Sequence, residues 1–162
     1  VYYGSEIGYE RGTGEHAGNR NYFGQARIDA ASANPIHASL KRIATLRANT
    51  PALQRGLQIN LLFDGDRAAF YRVLEHEGIA QTALVLLNKG DAGATFELTE
   101  KLQPGRWREA LGAGTRTLAD GQSFEATVPA NGVQVWLFEQ PITAPALRAA
   151  AEAAATGIAH RD

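Results

Sequence analysis

Between residues 57 and 138 short runs of strand-forming residues alternate with small clusters of turn residues, and this rhythm restricts the fold more than any other feature. The runs cover residues 57–63, 68–75, 82–88, 94–98, 106–111, 123–128 and 133–138, each favouring a pleated, half-buried surface. Asp64-Gly65-Asp66, Glu77-Gly78, Lys89-Gly90-Asp91, Pro104-Gly105, Asp120-Gly121 and Asn131-Gly132 separate them. These residue types accept the backbone of tight turns. Short strands at this spacing predict a mainly β fold, an antiparallel β-sandwich with Greek-key connections. Residues 82–87 and 133–138 are apolar on both faces, which places them at the centre of a sheet or against a neighbouring domain. Trp107 stands between Arg106 and Arg108, so strand alternation turns the indole inward. Trp136 shares a face with Phe138. Both tryptophans read as core rather than as a platform for stacking sugars, and the sandwich reads as structural.

A helical period precedes the strands. Asn34 is a good N-cap and Pro35 suits the first helical position of a helix over residues 35–49. Ile36, Leu40, Ile43 and Leu46 recur at steps of four and three, with Lys41, Arg42 and Arg47 on the remaining surface. Each large apolar side chain contributes about 1.5–3 kcal/mol when fully buried. A helix of this length is marginal alone, so its apolar face requires something to pack on. His37 reads as a surface or internally satisfied residue. Ahead of the helix, Val1-Tyr2-Tyr3 has strand character, and a long polar loop runs from Ser5 to about Ala33. That loop mixes Glu6, Glu10, Arg11, Glu15, His16, Arg20 and Arg27 with Tyr9, Tyr22 and Phe23. Rings that stack on pyranose faces beside groups that bind hydroxyls suit a sugar; a solvated surface loop has the same composition. After Pro141 alanine dominates residues 145–156, which predicts a terminal helix. Its apolar face is thin, so the helix is expected to fray or to rest on a partner chain.

The chain has 162 residues, 44% hydrophobic and 20% charged, and a formal net charge of -1. This length supports one core with additions. The charge balance gives no footprint for nucleic acid or an anionic membrane, and no apolar run has the length of a membrane span. Cysteine is absent, so disulfide and thiolate chemistry are excluded. Methionine is absent too, so Val1 is not expected to be a translated start. No His-Glu-x-x-His, no phosphate-cradling glycine loop and no Gly-x-Ser-x-Gly occurs. Glu6 and Glu15 are a carboxylate pair in sequence only.

Several stretches resemble one family. Val1-Tyr2-Tyr3-Gly4-Ser5-Glu6 resembles the end of the eighth barrel strand of the α-amylase family of glycoside hydrolases. Residues 40–47 with Thr50-Pro51-Ala52-Leu53 resemble its last barrel helix and the exit into the next domain. Ala83-Leu84-Val85-Leu86-Leu87-Asn88, residues 104–111 and residues 128–136 are similar to strands of its C-terminal sandwich, domain C. Glu15-His16-Ala17-Gly18-Asn19-Arg20 resembles the family's Asp-Pro-x-x-Arg type motif, with Glu for Asp, no proline and a longer spacing.

The resemblance implies three parts: residues 1–51 as the end of a (β/α)8 barrel (strand, loop, helix), 52–140 as domain C, and 141–162 as a helical tail. It implies a parent enzyme that cleaves or transfers α-1,4-glucan chains such as starch and maltodextrins by a retaining mechanism. Tyr3, Glu15, His16 and Arg20 would line sugar subsites. The three catalytic carboxylates of the family come from earlier strands. Such a barrel takes about 250 residues, of which only about fifty belong here, so this chain alone is expected to be inactive. No cofactor is implied, calcium belongs to the parent if anywhere, and an extracellular or periplasmic location is favoured. The strand and loop are expected to pair with the rest of the barrel or with another copy of the chain, while the sandwich from about Ala52 folds without them. The alternative is a stand-alone, non-catalytic carbohydrate-binding or adhesion sandwich.

Overall fold

The computed structural model describes residues 4–8 and 24–159. The chain divides into two compact units, residues 1–46 and 47–162. In the first unit a 3-10 turn (Ser5–Ile7) is followed, after the intervening residues, by helix α1 (Gln25–Ala30), a second 3-10 turn (Ala31–Ala33) and all but the last two residues of helix α2 (Pro35–Ala48). Of the expected loop over residues 5–33, the described residues 5–7 and 25–33 are helical. The strand over residues 1–3 lies outside the described residues. Asn34 caps α2 as its side chain predicts, with Oδ1 accepting the Ile36 N–H at 2.9 Å. Ile36, Leu40 and Ile43 on α2 are 44%, 41% and 41% exposed.

The second unit opens with the short helix α3 (Pro51–Arg55). Eight strands follow: β1 (Leu57–Asp64), β2 (Arg67–His76), β3 (Ile79–Asn88), β4 (Ala94–Leu98), β5 (Gly105–Glu109), β6 (Thr115–Leu118), β7 (Phe124–Val128) and β8 (Gly132–Phe138). Helix α4 (Pro145–Ala159) closes the chain. All strand pairs are antiparallel. The strands form a six-stranded sheet in the order β1-β2-β3-β8-β5-β6 and a two-stranded sheet of β4 and β7. After β3 the chain crosses to the small sheet, returns for β5 and β6, crosses again for β7 and comes back as β8 between β3 and β5. That return is the expected Greek-key connection. The expected run over 106–111 ends at Glu109, and β6 was not anticipated.

Alternation explains the core. Tyr71, Val73, Leu84, Leu86, Trp107, Trp136 and Phe138 on the inner face of the large sheet meet Phe96, Leu98, Phe124 and Val128 from β4 and β7. On the opposite face Leu74, Ala83, Val85, Val135 and Leu137 are buried as well, so β3 and β8 are the doubly covered central strands that their sequences predict. Gly105 has φ 127°, and a Cβ there would meet Phe138 Cε2 at 2.6 Å; the Pro-Gly turn requires glycine on both counts. Asn88, 3% exposed, ends β3. Its amide donates to the carbonyls of Ala92, Val128 and Pro129, and its Oδ1 accepts the Gly90 N–H.

Four carbonyls of the narrow sheet find side-chain donors on the wide one. Arg67 on β2 donates to the Thr95 carbonyl at 3.2 Å, Gln134 on β8 to Thr127 at 3.0 Å, Arg116 on β6 to Glu125 and Asn88 to Val128. Arg116 pairs in register with Trp107, so it points inward, where its guanidinium lies over Phe124 (5.0 Å) and Trp136 (5.7 Å).

The C-terminal segment departs from expectation. It is bound into the core: Leu147 is fully buried, with Ile142 and Ala144 beside it. Ile142, Ala144 and Leu147 join the same core cluster as Ile59 and Val73 of β1 and β2, over the part of the large sheet that the two short strands β4 and β7 leave bare. A face of small alanines suffices because the anchoring is done by residues ahead of the helix and in its first turn.

Candidate functional site

The residues expected to touch sugar, Tyr3, Glu15, His16 and Arg20, lie outside the described residues. What is described is the root of their loop. Gly8 adopts φ 64° and returns its N–H to the Ser5 carbonyl, and a Cβ there would press on Ile36 Cδ1 at 3.1 Å. Asn34 does a second job: its Nδ2 donates to the Ile7 carbonyl at 3.0 Å. One side chain thus starts α2 and joins two points 27 residues apart. Glu6 is half-buried in the first turn. At the far end Gly24, φ 78°, opens α1, which a Gln25 Nε2 to Asp29 Oδ1 bond of 2.8 Å braces. The sequence showed Asn34 as a cap; its bond to Ile7 had no sequence signal, since it depends on the return of the chain.

In the sandwich the tryptophans are core, as alternation predicts. Trp107 is 1% exposed, donates Nε1–H to the Gln103 carbonyl at 2.9 Å, and packs on Tyr71 (6.1 Å) and Phe138 (5.4 Å). Trp136 meets Phe124 edge-on at 5.4 Å. Burial pushes the Tyr71 phenol well above its usual pKa, so it stays neutral. None of these rings offers a face to a ligand.

Two hollows on the described residues of this unit carry charged side chains. One of about 190 Å³ lies beside α4 and includes Glu75, Arg148 and Glu152. Glu75 accepts the Ile142 N–H and faces Arg148 at 3.7 Å, so its carboxylate is engaged in holding the segment. The other, about 300 Å³, is lined by Arg116, Gln122, Ser123 and Glu125 among others, and there the guanidinium is committed to the Glu125 carbonyl. Among the described residues no three of His, Asp and Glu converge to hold a metal ion.

No protein-family model matches the chain, and no curated protein does. Solved structures do. An Anoxybacillus α-amylase superposes with a TM-score of 0.60 at 23% identity, covering 87% of this chain and 28% of that one. The α-amylase of Geobacillus thermoleovorans complexed with acarbose gives 0.62 at 19%, over 85% and 29%. CldA, a cyclomaltodextrin glucanotransferase with a three-domain ABC distribution, gives 0.59 at 24%, over 86% and 29%. The chain spans less than a third of the length of each. It has the fold of one portion of these enzymes, mainly antiparallel β with a short C-terminal helix, consistent with their C-terminal part.

Proposed function

We propose that this chain is the C-terminal portion of an α-amylase-type enzyme that cleaves or transfers α-1,4-glucan chains by a retaining mechanism. The observation that carries the reading is the shared fold with α-amylases and a glucanotransferase over most of this chain and under a third of theirs. The sandwich serves as scaffold. Tyr3, Glu15, His16 and Arg20 contact the sugar in the complete enzyme, which acts outside the cytoplasm. A retaining glycosidase needs two carboxyl groups about 5–5.5 Å apart, and the family resemblance puts these on earlier strands.

Two measurements test the reading. The 162 residues alone should release no reducing sugar from starch, maltodextrin or cyclodextrin; turnover that Glu15→Gln abolishes would overturn the assignment. In a longer enzyme carrying this chain, Arg20→Ala and Arg20→Lys should both raise KM or change the product pattern, since lysine does not reproduce a bidentate guanidinium. Unchanged kinetics in both would return the loop to a solvated surface and leave a non-catalytic sandwich.

A further inference from the structure

On the face of the large sheet opposite the aromatic core, one row of apolar side chains leaves large groups in water. Among the eight strands two large apolar side chains are exposed, Phe63 at 63% and Leu87 at 38%. Cross-strand register joins them. Phe63 on β1 stands opposite Ala68 on β2, Ala68 opposite Leu87 on β3, and Leu87 opposite Val133 on β8. Ala68 and Val133 are half-buried. The row thus crosses four adjacent strands, and the alanine leaves a notch between Phe63 and Leu87. At the end of the row the turns carry Asp66 and Lys89, paired at 3.2 Å, and the Lys89 N–H donates to the Asp66 carbonyl at 2.9 Å. That border is held in place and carries both signs of charge.

A contiguous exposed apolar row with a polar border marks an interaction surface. A partner of a single charge sign gains nothing from a border that is already neutral, whereas a second copy brings both signs. The row is also complementary to itself. A two-fold axis running along the strands between β2 and β3 sets Ala68 of one copy against Leu87 of the other, and Phe63 against Val133. Each contact then joins a larger side chain to a smaller one, and Asp66 of each copy faces Lys89 of the other. We propose that this chain forms a two-fold dimer through the row Phe63, Ala68, Leu87 and Val133. Aligned sheets pack about 10 Å apart with their side chains interdigitated, and the notch at Ala68 receives the opposing leucine. Because both copies use the same patch, the assembly closes at two. Three other exposed apolar residues, Ile36, Leu40 and Ile43, share α2 with Lys41, Arg42 and Arg47 and no acidic residue, so two copies of that helix repel. The inference concerns residues 47–162 and stands apart from the glucan reading.

Sedimentation velocity of the whole 162-residue chain over a range of concentrations tests the dimer, which should appear as a species of twice 17.4 kDa. Phe63→Ser should weaken the association by at least about tenfold, since each dimer loses two covered rings, and leave the circular dichroism spectrum unchanged. Ala68→Leu, which fills the notch, should weaken it too, whereas Leu40→Ser on α2 should not. Lys89→Asp and Asp66→Lys each set like charges across the axis and should each weaken the dimer. An equimolar mixture of those two variants should recover it, because the acids of one copy then meet the lysines of the other. A chain that stays monomeric overturns the proposal, as does a dimer that survives Phe63→Ser or fails in Leu40→Ser. A mixture without recovery overturns it as well.

Discussion

Gln103 does with one amide what a loop normally needs several residues to do. It is 1% exposed. Its Oε1 accepts the N–H groups of Thr143 and Ala144 at 2.8 and 2.9 Å, while Nε2 donates to the Pro104 carbonyl and Thr143 Oγ1, each at 2.8 Å. Its own carbonyl receives the Trp107 indole N–H. The side chain thus holds the approach to α4 against the turn that positions the central tryptophan. Gln103→Ala strands two N–H groups, that of Ala144 buried and that of Thr143 partly so, each worth about 1–3 kcal/mol where water cannot replace the amide. Unfolding in urea should show a midpoint lowered by the equivalent of about 3 kcal/mol, with an unchanged slope. A loss within the range of ordinary surface substitutions, about 0.5 kcal/mol, would mean that water replaces the amide.

At the level of elements, α4 is the piece whose role was hardest to read. Its stretch of alanines announces helix and conceals docking, because the anchors Ile142 and Ala144 precede the helix and Leu147 sits in its first turn. Leu147→Ala should cost about 2–5 kcal/mol, as for other fully buried leucines, whereas Ala149→Gln on the exposed side should leave the melting temperature within a degree or so of the parent. Equal, small effects from the two would return the helix to a loose tail. The strands of the large sheet were legible because period-two alternation and Gly, Asp and Asn turns agree there. β6 was not, since Thr115-Arg116-Thr117-Leu118 places a cation on its inward face and breaks the apolar rhythm. α1 was hidden by its polar, glycine-flanked surroundings and α3 by its brevity. For the candidate site, sequence likeness names Tyr3, Glu15, His16 and Arg20, and the described residues add only the tie between Ile7 and Asn34.

For the whole molecule, the units 1–46 and 47–162 carry different expectations. Residues 47–162 contain the complete core, the Gln103 attachment and the Glu75 contacts with Ile142 and Arg148. This piece should unfold in a single cooperative transition when prepared alone. Residues 52–140, the sandwich as its strands alone would delimit it, should not, because Ile59 and Val73 lose the cover of Ile142 and Leu147. Circular dichroism through thermal unfolding of the two pieces decides. A sharp transition in the shorter piece, matching that of the longer, would show that the C-terminal segment is dispensable.

The side-chain donors that reach the narrow sheet have a consequence for how copies of this protein behave when crowded. Carbonyls at the border of a sheet are a template on which a foreign strand can grow, and soluble proteins spoil such templates. Here the carbonyls of Thr95, Glu125, Thr127 and Val128 are already occupied from within. The border strands of the wide sheet are spoiled in other ways: β1 by the register shift between Asn60 and Leu62, β6 by its four-residue length and its inward cation. A protein whose sheets end in this manner resists stacking into fibrils by its geometry, without relying on charge repulsion that a net charge of -1 could not provide.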